Sequence, residues 1–181
     1  MRAPALPHRN TDARLSARTY ELTQFLVHVL GVTNVGAHYE GKVAYHASCH
    51  LLRELGERAS PKALLEKVVG AELVPLPGSE TVCCGFGGTF SVSFPHISAA
   101  MGDLKLEHMR AVQPDVVVSP DMSCMMHITG LAAKEGKPIK AMHVAQVLRD
   151  YGMHERDEAP QDSFAAHTPI PGLAAGQVRD P

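Results

Sequence analysis

Residues 115–124 read DVVVSPDMSC: a nearly continuous apolar run from Asp115 to Ser119, a proline, and a helix start that carries a cysteine. A run this short without polar alternation suits a strand buried on both faces of a parallel sheet. On either side the same punctuation recurs. Upstream, Gly41-Lys42 leads into VAYHAS (43–48), which ends at Cys49, and ELVPLP (72–77) follows, with Pro75 placing that strand at an edge or making it irregular. Downstream, IKAMH (139–143) is the last strand. Helix signals fill the gaps. Thr19 to Leu30 has one face of Tyr20, Leu22, Phe25, Leu26, Val29 and Leu30, closed by Gly31, and His50 to Gly56 is a short helix. Pro61 opens another helix that Gly70 closes, and a helix over about 96–112 presents Ile97, Met101, Leu104 and Met109. Ser123 caps a helix through Met125, Met126 and Leu131 to Gly136, and VAQVLRDY (144–151) is the last. Strands alternating with helices predict an α/β fold, a mostly parallel sheet flanked by helices on both faces.

Composition narrows the class. Apolar residues make up 45% of the 181 and charged residues 20%, the balance of a folded globular domain. A formal charge of -2 leaves no basic footprint for nucleic acid and no polybasic patch for an anionic membrane. No apolar run approaches the roughly 18 residues of a transmembrane segment, and the start of the chain has no apolar signal region, so a cytoplasmic location is expected. Residues 1–17 mix Pro, His, Arg and Asp without periodicity and are expected to be a flexible leader. The folded body is expected over 18–151. Residues 152–181, with four prolines and no apolar cluster, are expected to be a disordered tail.

The predicted topology decides where the four cysteines go. Cys49 ends the first strand, Cys83 and Cys84 lie in the loop after the second, and Cys124 opens the helix after the third. All stand beyond carboxyl ends of strands, where open α/β folds place their ligands. Thiols separated by 33 and 39 residues are thereby predicted to meet in one crevice. Soft thiolates select iron-sulfur clusters, Zn or Cu(I), and four of them satisfy either a tetrahedral ion or a cubane cluster. The spacing matches no zinc ribbon or ferredoxin, since no CxxC knuckle is present. Neighbouring side chains on extended backbone point apart, so Cys83 and Cys84 suit different irons of one cluster better than one shared ion.

Around the thiols, Gly85, Gly87 and Gly88 allow tight turns about an inorganic core and offer N–H groups to its sulfurs. GFGG (85–88) is not GxGxxG and lacks the Lys-Ser/Thr of a phosphate loop, which excludes the usual nucleotide motifs. Cys124 and His127 share a helix face as C-x-x-H, with the helix dipole favouring a thiolate at Cys124. His127 is the foremost candidate for a further ligand or hydrogen-bond donor; His46 and His50, flanking Cys49, and His143, ending the last strand, are others. Arg53, one turn beyond Cys49, is a candidate to offset cluster charge or to hold a substrate carboxylate. Met122, Met125 and Met126 are placed to seal the site from water. Each of these residues also has an ordinary reading, as core filler or surface side chain.

The segments YHASCHLLRELG, TVCCGFGGTFSVSFPHIS, DMSCMMHITG and HVAQVL resemble the cysteine-rich (CCG) domain of the lactate utilization protein A family, also described as Fe-S oxidoreductases or glycolate oxidase iron-sulfur subunits. The resemblance covers about residues 19–149. It implies a [4Fe-4S] cluster held by Cys49, Cys83, Cys84 and Cys124, with Gly85 behind the central pair. Some relatives in the wider family, which extends to heterodisulfide reductases, carry a further cysteine where this chain has His127. Family members usually contain two CCG repeats, and this chain resembles the second only, which implies a fragment, a misassigned start or a domain completed by another chain, with self-association expected if the missing repeat normally covers the crevice. The implied function is an electron-transfer subunit, working with iron-sulfur and flavin or quinone-linked subunits in oxidation of a 2-hydroxy acid, L-lactate to pyruvate or glycolate. A Zn-thiolate structural or interaction module is the alternative from a different class, and dithiol chemistry at Cys83-Cys84 a third.

Overall fold

Val116 and Val118 enter one apolar core and Val117 enters another, so the run that reads as a buried strand is buried on both sides. It lies at the centre of a computed structural model that describes residues 15–76 and 80–149. Among these residues β1 (His38–Tyr45), β2 (Val69–Val74), β3 (Val116–Ser119) and β4 (Ala141–His143) form one sheet in the order β2-β1-β3-β4, with every neighbouring pair parallel. β2 is an edge strand, as Pro75 just beyond it suggests. The helical elements are α1 (Leu22–Gln24), which continues into a π-helical stretch Phe25–Val29; a π-helical turn His50–Glu54; α2 (Ala59–Leu65); α3 (Thr89–Ser93); α4 (Pro95–Ala111); α5 (Met122–Lys134); and α6 (Val144–Arg149).

The two cores divide the helices between the faces of the sheet. Val43, Tyr45, Val116 and Val118 pack with Leu64 and Leu65 of α2 and Val144, Val147 and Leu148 of α6. Ala44 and Val117 pack with Leu106 and Met109 of α4 and Ile128 and Ala132 of α5. Each fully buried valine contributes roughly 1.5–3 kcal/mol by leaving water. The chain leaves β1 toward β2 on one side and returns to β3 on the other, so connections diverge at the carboxyl ends of β1 and β3 and open a crevice there. His46 extends the pairing past the strand, its N–H donating to the Val118 carbonyl at 2.8 Å.

Several local expectations are corrected. β1 begins earlier and ends earlier than VAYHAS, leaving His46 to Ser48 as a connection to Cys49. The first helix starts at Leu22, where the Glu21 carboxylate accepts from the N–H groups of Thr23 and Gln24. Its widened π turn breaks the 3.6-residue period, and Tyr20, Leu22 and Phe25 are exposed. Gly70 does not close a helix but lies within β2 at φ +81°. Pro61 is the third residue of α2, whose first N–H groups are taken by the Glu57 carboxylate. α5 is capped by Asp121, not Ser123. The leader overlaps the described residues only at 15–17, which are exposed, and the tail lies outside them. Among the described residues no helix is long and apolar enough to cross a membrane.

Candidate metal centre

Three connections bring the cysteines to the crevice. Cys49 precedes the π-helical turn after β1, Cys83 and Cys84 lie between β2 and α3, and Cys124 occupies the first turn of α5. Asp121 fixes that turn: its carboxylate accepts from Ser123 N–H at 2.9 Å and from Cys124 N–H at 3.4 Å. The consecutive side chains of Cys83 and Cys84 take different partners. Cys83 Sγ lies 4.0 Å from Cys49 Sγ. Cys84 Sγ, Cys124 Sγ and a ring nitrogen of His46 all lie within 4.8 Å of one another, and all three residues are buried. The cysteines are unbridged, with Cys49 and Cys83 partly exposed.

Electrostatic coupling runs across both pairs. The neighbouring Cys124 thiol, and, against the opposing effect of burial, His46 and the Phe86 N–H, lower the Cys84 pKa to about 4. Cys124 shifts the opposite way, its pKa raised by Cys84 beside it and by burial. Burial also raises Cys49, with Cys83 and Cys84 adding to the effect. Burial lowers the pKa of His46 and keeps its ring neutral, with Cys84 opposing and Lys105 assisting. Neither ring nitrogen of His46 makes a hydrogen bond among the described residues, although Cys84 faces the ring closely enough to act on it electrostatically. A neutral imidazole with two orphaned nitrogens beside thiols is costly unless something else occupies the site. The donor set, four thiols in two adjoining pairs with a buried imidazole and a Gly85 N–H donating to Cys83 Sγ at 3.4 Å, fits a soft metal or an iron-sulfur group.

The other candidates are distributed differently. His127 Nε2 lies 3.3 Å from the Ser98 carbonyl and 3.4 Å from its hydroxyl, and its ring packs against Phe86 at 6.0 Å, so it holds α5 to α4 beside the thiols. His143 Nδ1 accepts from Ala145 N–H and its Nε2–H donates to the Pro120 carbonyl at 2.8 Å; both nitrogens are spent bracing the loop after β3. His50 is exposed, 3.7 Å from Asp121, and Arg53 is exposed. Gly87 and Gly88 take positive φ as the chain enters α3. Of the three methionines placed as a seal, Met125 is buried, whereas Met122 and Met126 are 53% and 64% exposed.

The buried face of α4 consists of Ser98, Gly102, Lys105, Leu106 and Met109, while Ile97 and Leu104 are exposed. The apolar-periodicity reading is therefore half right: Met109 is buried and Met101 half-buried, but Ile97 and Leu104 face outward and the small residues Ser98 and Gly102 face inward. The reason is close approach: Ser98 donates to the Gly85 carbonyl at 2.7 Å, and a Cβ on Gly102 would overlap Leu131 and stand 3.2 Å from the Cys84 carbonyl. Lys105 was not legible as a site residue. It is fully buried, and burial lowers its ammonium pKa to about 8 against the opposing pull of Cys84, Cys124, Cys83 and Glu80. The available signal was spacing, since Ser98, Gly102, Lys105 and Met109 recur on one helical face.

Residues 43–129 match the family model of the cysteine-rich domain CCG. The chain is 54% identical over 135 residues to lactate utilization protein A of Geobacillus thermodenitrificans (strain NG80-2), covering 75% of this chain and 56% of that protein. It is 52% identical over 135 residues to the protein of the same name from Geobacillus kaustophilus (strain HTA426), with the same coverage. Against that of Lysinibacillus sphaericus (strain C3-41) the figure is 48% over 134 residues, or 74% of this chain and 58% of the relative. The chain thus spans little more than half the length of these curated relatives.

Proposed function

From the match of residues 43–129 to the family model of the cysteine-rich domain CCG, we propose that this chain binds one [4Fe-4S] cluster through Cys49, Cys83, Cys84 and Cys124 and transfers electrons in a lactate-utilization system. The observation that carries the reading is the division of Cys83 and Cys84 between two sulfur neighbours, Cys49 and Cys124, within one electrostatically coupled group. Four separated sulfurs suit the corners of a cluster better than the shell of one ion.

When bound, a cluster of this kind supplies one-electron exchange. The chain's own residues prepare for it. Cys84 has the lowered thiol pKa, and His46, which faces Cys84 and makes no other hydrogen bond among the described residues, has an N–H to direct at a thiolate sulfur. Gly85 N–H is already directed at Cys83. Oxidation of L-lactate to pyruvate releases two electrons and two protons, so the function requires a flavin or quinone-linked partner to handle the pair. Iron-sulfur subunits, and either a chain supplying the remainder of the longer relatives or a second copy of this one, complete the proposed set of partners. Glycolate is the other 2-hydroxy acid substrate consistent with the family resemblance. A cytoplasmic location goes with this reading.

A second reading is supported by the tighter grouping of His46, Cys84 and Cys124, three donors that suit a Zn site of structural or interaction type. Anaerobic purification followed by iron, acid-labile sulfide and zinc analysis separates the two. The cluster reading expects a brown protein with iron and sulfide in equal amounts; a colourless protein with stoichiometric zinc overturns it in favour of the module.

A further inference from the structure

We propose that Lys105 is the counter-cation of the thiolate site: a positioning residue that compensates the site's negative charge from beneath and raises its reduction potential without ligating it. The inference rests on the cluster reading above and concerns a residue that the thiol geometry alone does not single out. Lys105 lies on the buried face of α4, three residues beyond Gly102, at the position where a missing side chain lets the helix approach the Cys84 carbonyl. Ser98, one turn before Gly102, ties the same face to Gly85 through its 2.7 Å hydrogen bond. The side chain at 105 is therefore delivered to the inner side of the Cys83-Cys84 turn, next to an apolar cluster that includes Leu106, Met109, Cys84 and Cys124.

A fully buried lysine is expensive unless negative charge lies close to it. Among the described residues, the charged and titratable groups that act on Lys105 include Cys84, Cys124, Cys83 and Glu80, and His46 lies in the same group. Glu80 also pairs with Lys62 at 2.7 Å, which divides its charge between two lysines. Of these, Cys84, Cys124 and Cys83 are proposed cluster ligands. Metal binding would fix those sulfurs as thiolates and so hold permanent negative charge on the side of the site that Lys105 faces. One-electron reduction would add a further negative charge to the site. A fixed cation favours that reduced state, and so raises the potential.

The test compares Lys105→Met, which keeps the length and removes the charge, with Lys105→Arg, which keeps the charge. Each full-length protein is reconstituted anaerobically with iron and sulfide, and its midpoint potential is measured by optical and EPR-monitored redox titration. The expected result is a lower midpoint in K105M at unchanged iron and sulfide content, with K105R near wild type. An unchanged midpoint in iron-loaded K105M overturns the inference. If K105M does not retain iron, restored iron in K105R supports the charge role, while loss in both variants overturns it in favour of a requirement for shape. Failure of the wild type itself to bind iron and sulfide is a different outcome: it overturns the cluster reading, and the counter-cation falls with it.

Discussion

Ser98 donates its hydroxyl to the carbonyl oxygen of Gly85 at 2.7 Å, while the Ser98 carbonyl lies where a Cβ on Gly85 would have to stand. A helix and the turn carrying two cysteines are thereby locked together by one hydrogen bond and one missing side chain. Gly85 also has φ +91°, a conformation that L side chains rarely adopt. Gly85→Ala is expected to cost about 2–4 kcal/mol, from the backbone strain and the overlap together. Ser98→Ala, which strands a buried carbonyl, is expected to cost about 1–3 kcal/mol. Urea unfolding of the apo proteins checks both, and a Gly85→Ala midpoint equal to wild type would refute the locking contact.

Replacing any one of Cys49, Cys83, Cys84 and Cys124 by Ser substitutes a poor iron ligand for a thiolate and is expected to lower iron occupancy by at least about half. Cys84→Ser and Cys124→Ser should also lower apo-protein stability, because both sulfurs belong to a buried core cluster. Cys49→Ser and Cys83→Ser should affect it less, since those residues are partly exposed. Iron analysis and unfolding curves separate the two effects. Full iron content after any single replacement would remove that residue from the ligand set.

The order of strands and helices and the placement of the cysteines beyond strand ends could be read from sequence because each depends on local periodicity and punctuation. Val116 to Val118 are apolar because both faces of β3 are covered, and that is visible without tertiary information. The buried side of α4 is not visible in this way. It is selected by contact with Gly85, Cys84 and Leu131, which are distant in sequence, and the contact requires small residues at 98 and 102 rather than apolar ones. Lys105 was obscured for the same reason, since a lysine in a helix reads as solvated until its neighbours are known. His143 shows the converse: its position at a strand end suggests the crevice, yet both nitrogens are taken by local backbone groups.

His46 and His127 should respond oppositely to replacement. Among the described residues neither buried nitrogen of His46 has a hydrogen bond, so His46→Leu should leave the apo protein at least as stable as wild type while weakening metal retention. His127 is held by Ser98 and Phe86, and His127→Ala should cost about 1 kcal/mol of stability with iron content retained. Paired denaturation and iron measurements on each variant test this. Iron loss on replacing His127 alone would return it to the ligand set.

Glu57 makes stability depend on acid. Burial raises the pKa of its carboxyl, but hydrogen bonds from Ser60 N–H, His28, the Ser60 hydroxyl and Ala59 N–H outweigh burial and hold it below its ordinary value of 4.5. A depressed carboxyl contributes stability that is fully present above 4.5 and is lost as pH falls through the lower folded-state value. Glu57→Gln should flatten the acid limb of a plot of unfolding free energy against pH. An acid limb identical to wild type would assign the acid sensitivity to other carboxylates.

Whether these four cysteines hold one redox-active cluster is decided by EPR of the anaerobically purified, iron-loaded protein during a reductive titration. The expected outcome is an iron-sulfur signal that appears and disappears reversibly in a single one-electron step, integrates to about one spin per chain, and is absent from the quadruple variant with Ser at 49, 83, 84 and 124. An iron-loaded wild type that shows no such signal at any potential, or a quadruple variant that keeps it, would contradict a single cluster held by these thiols.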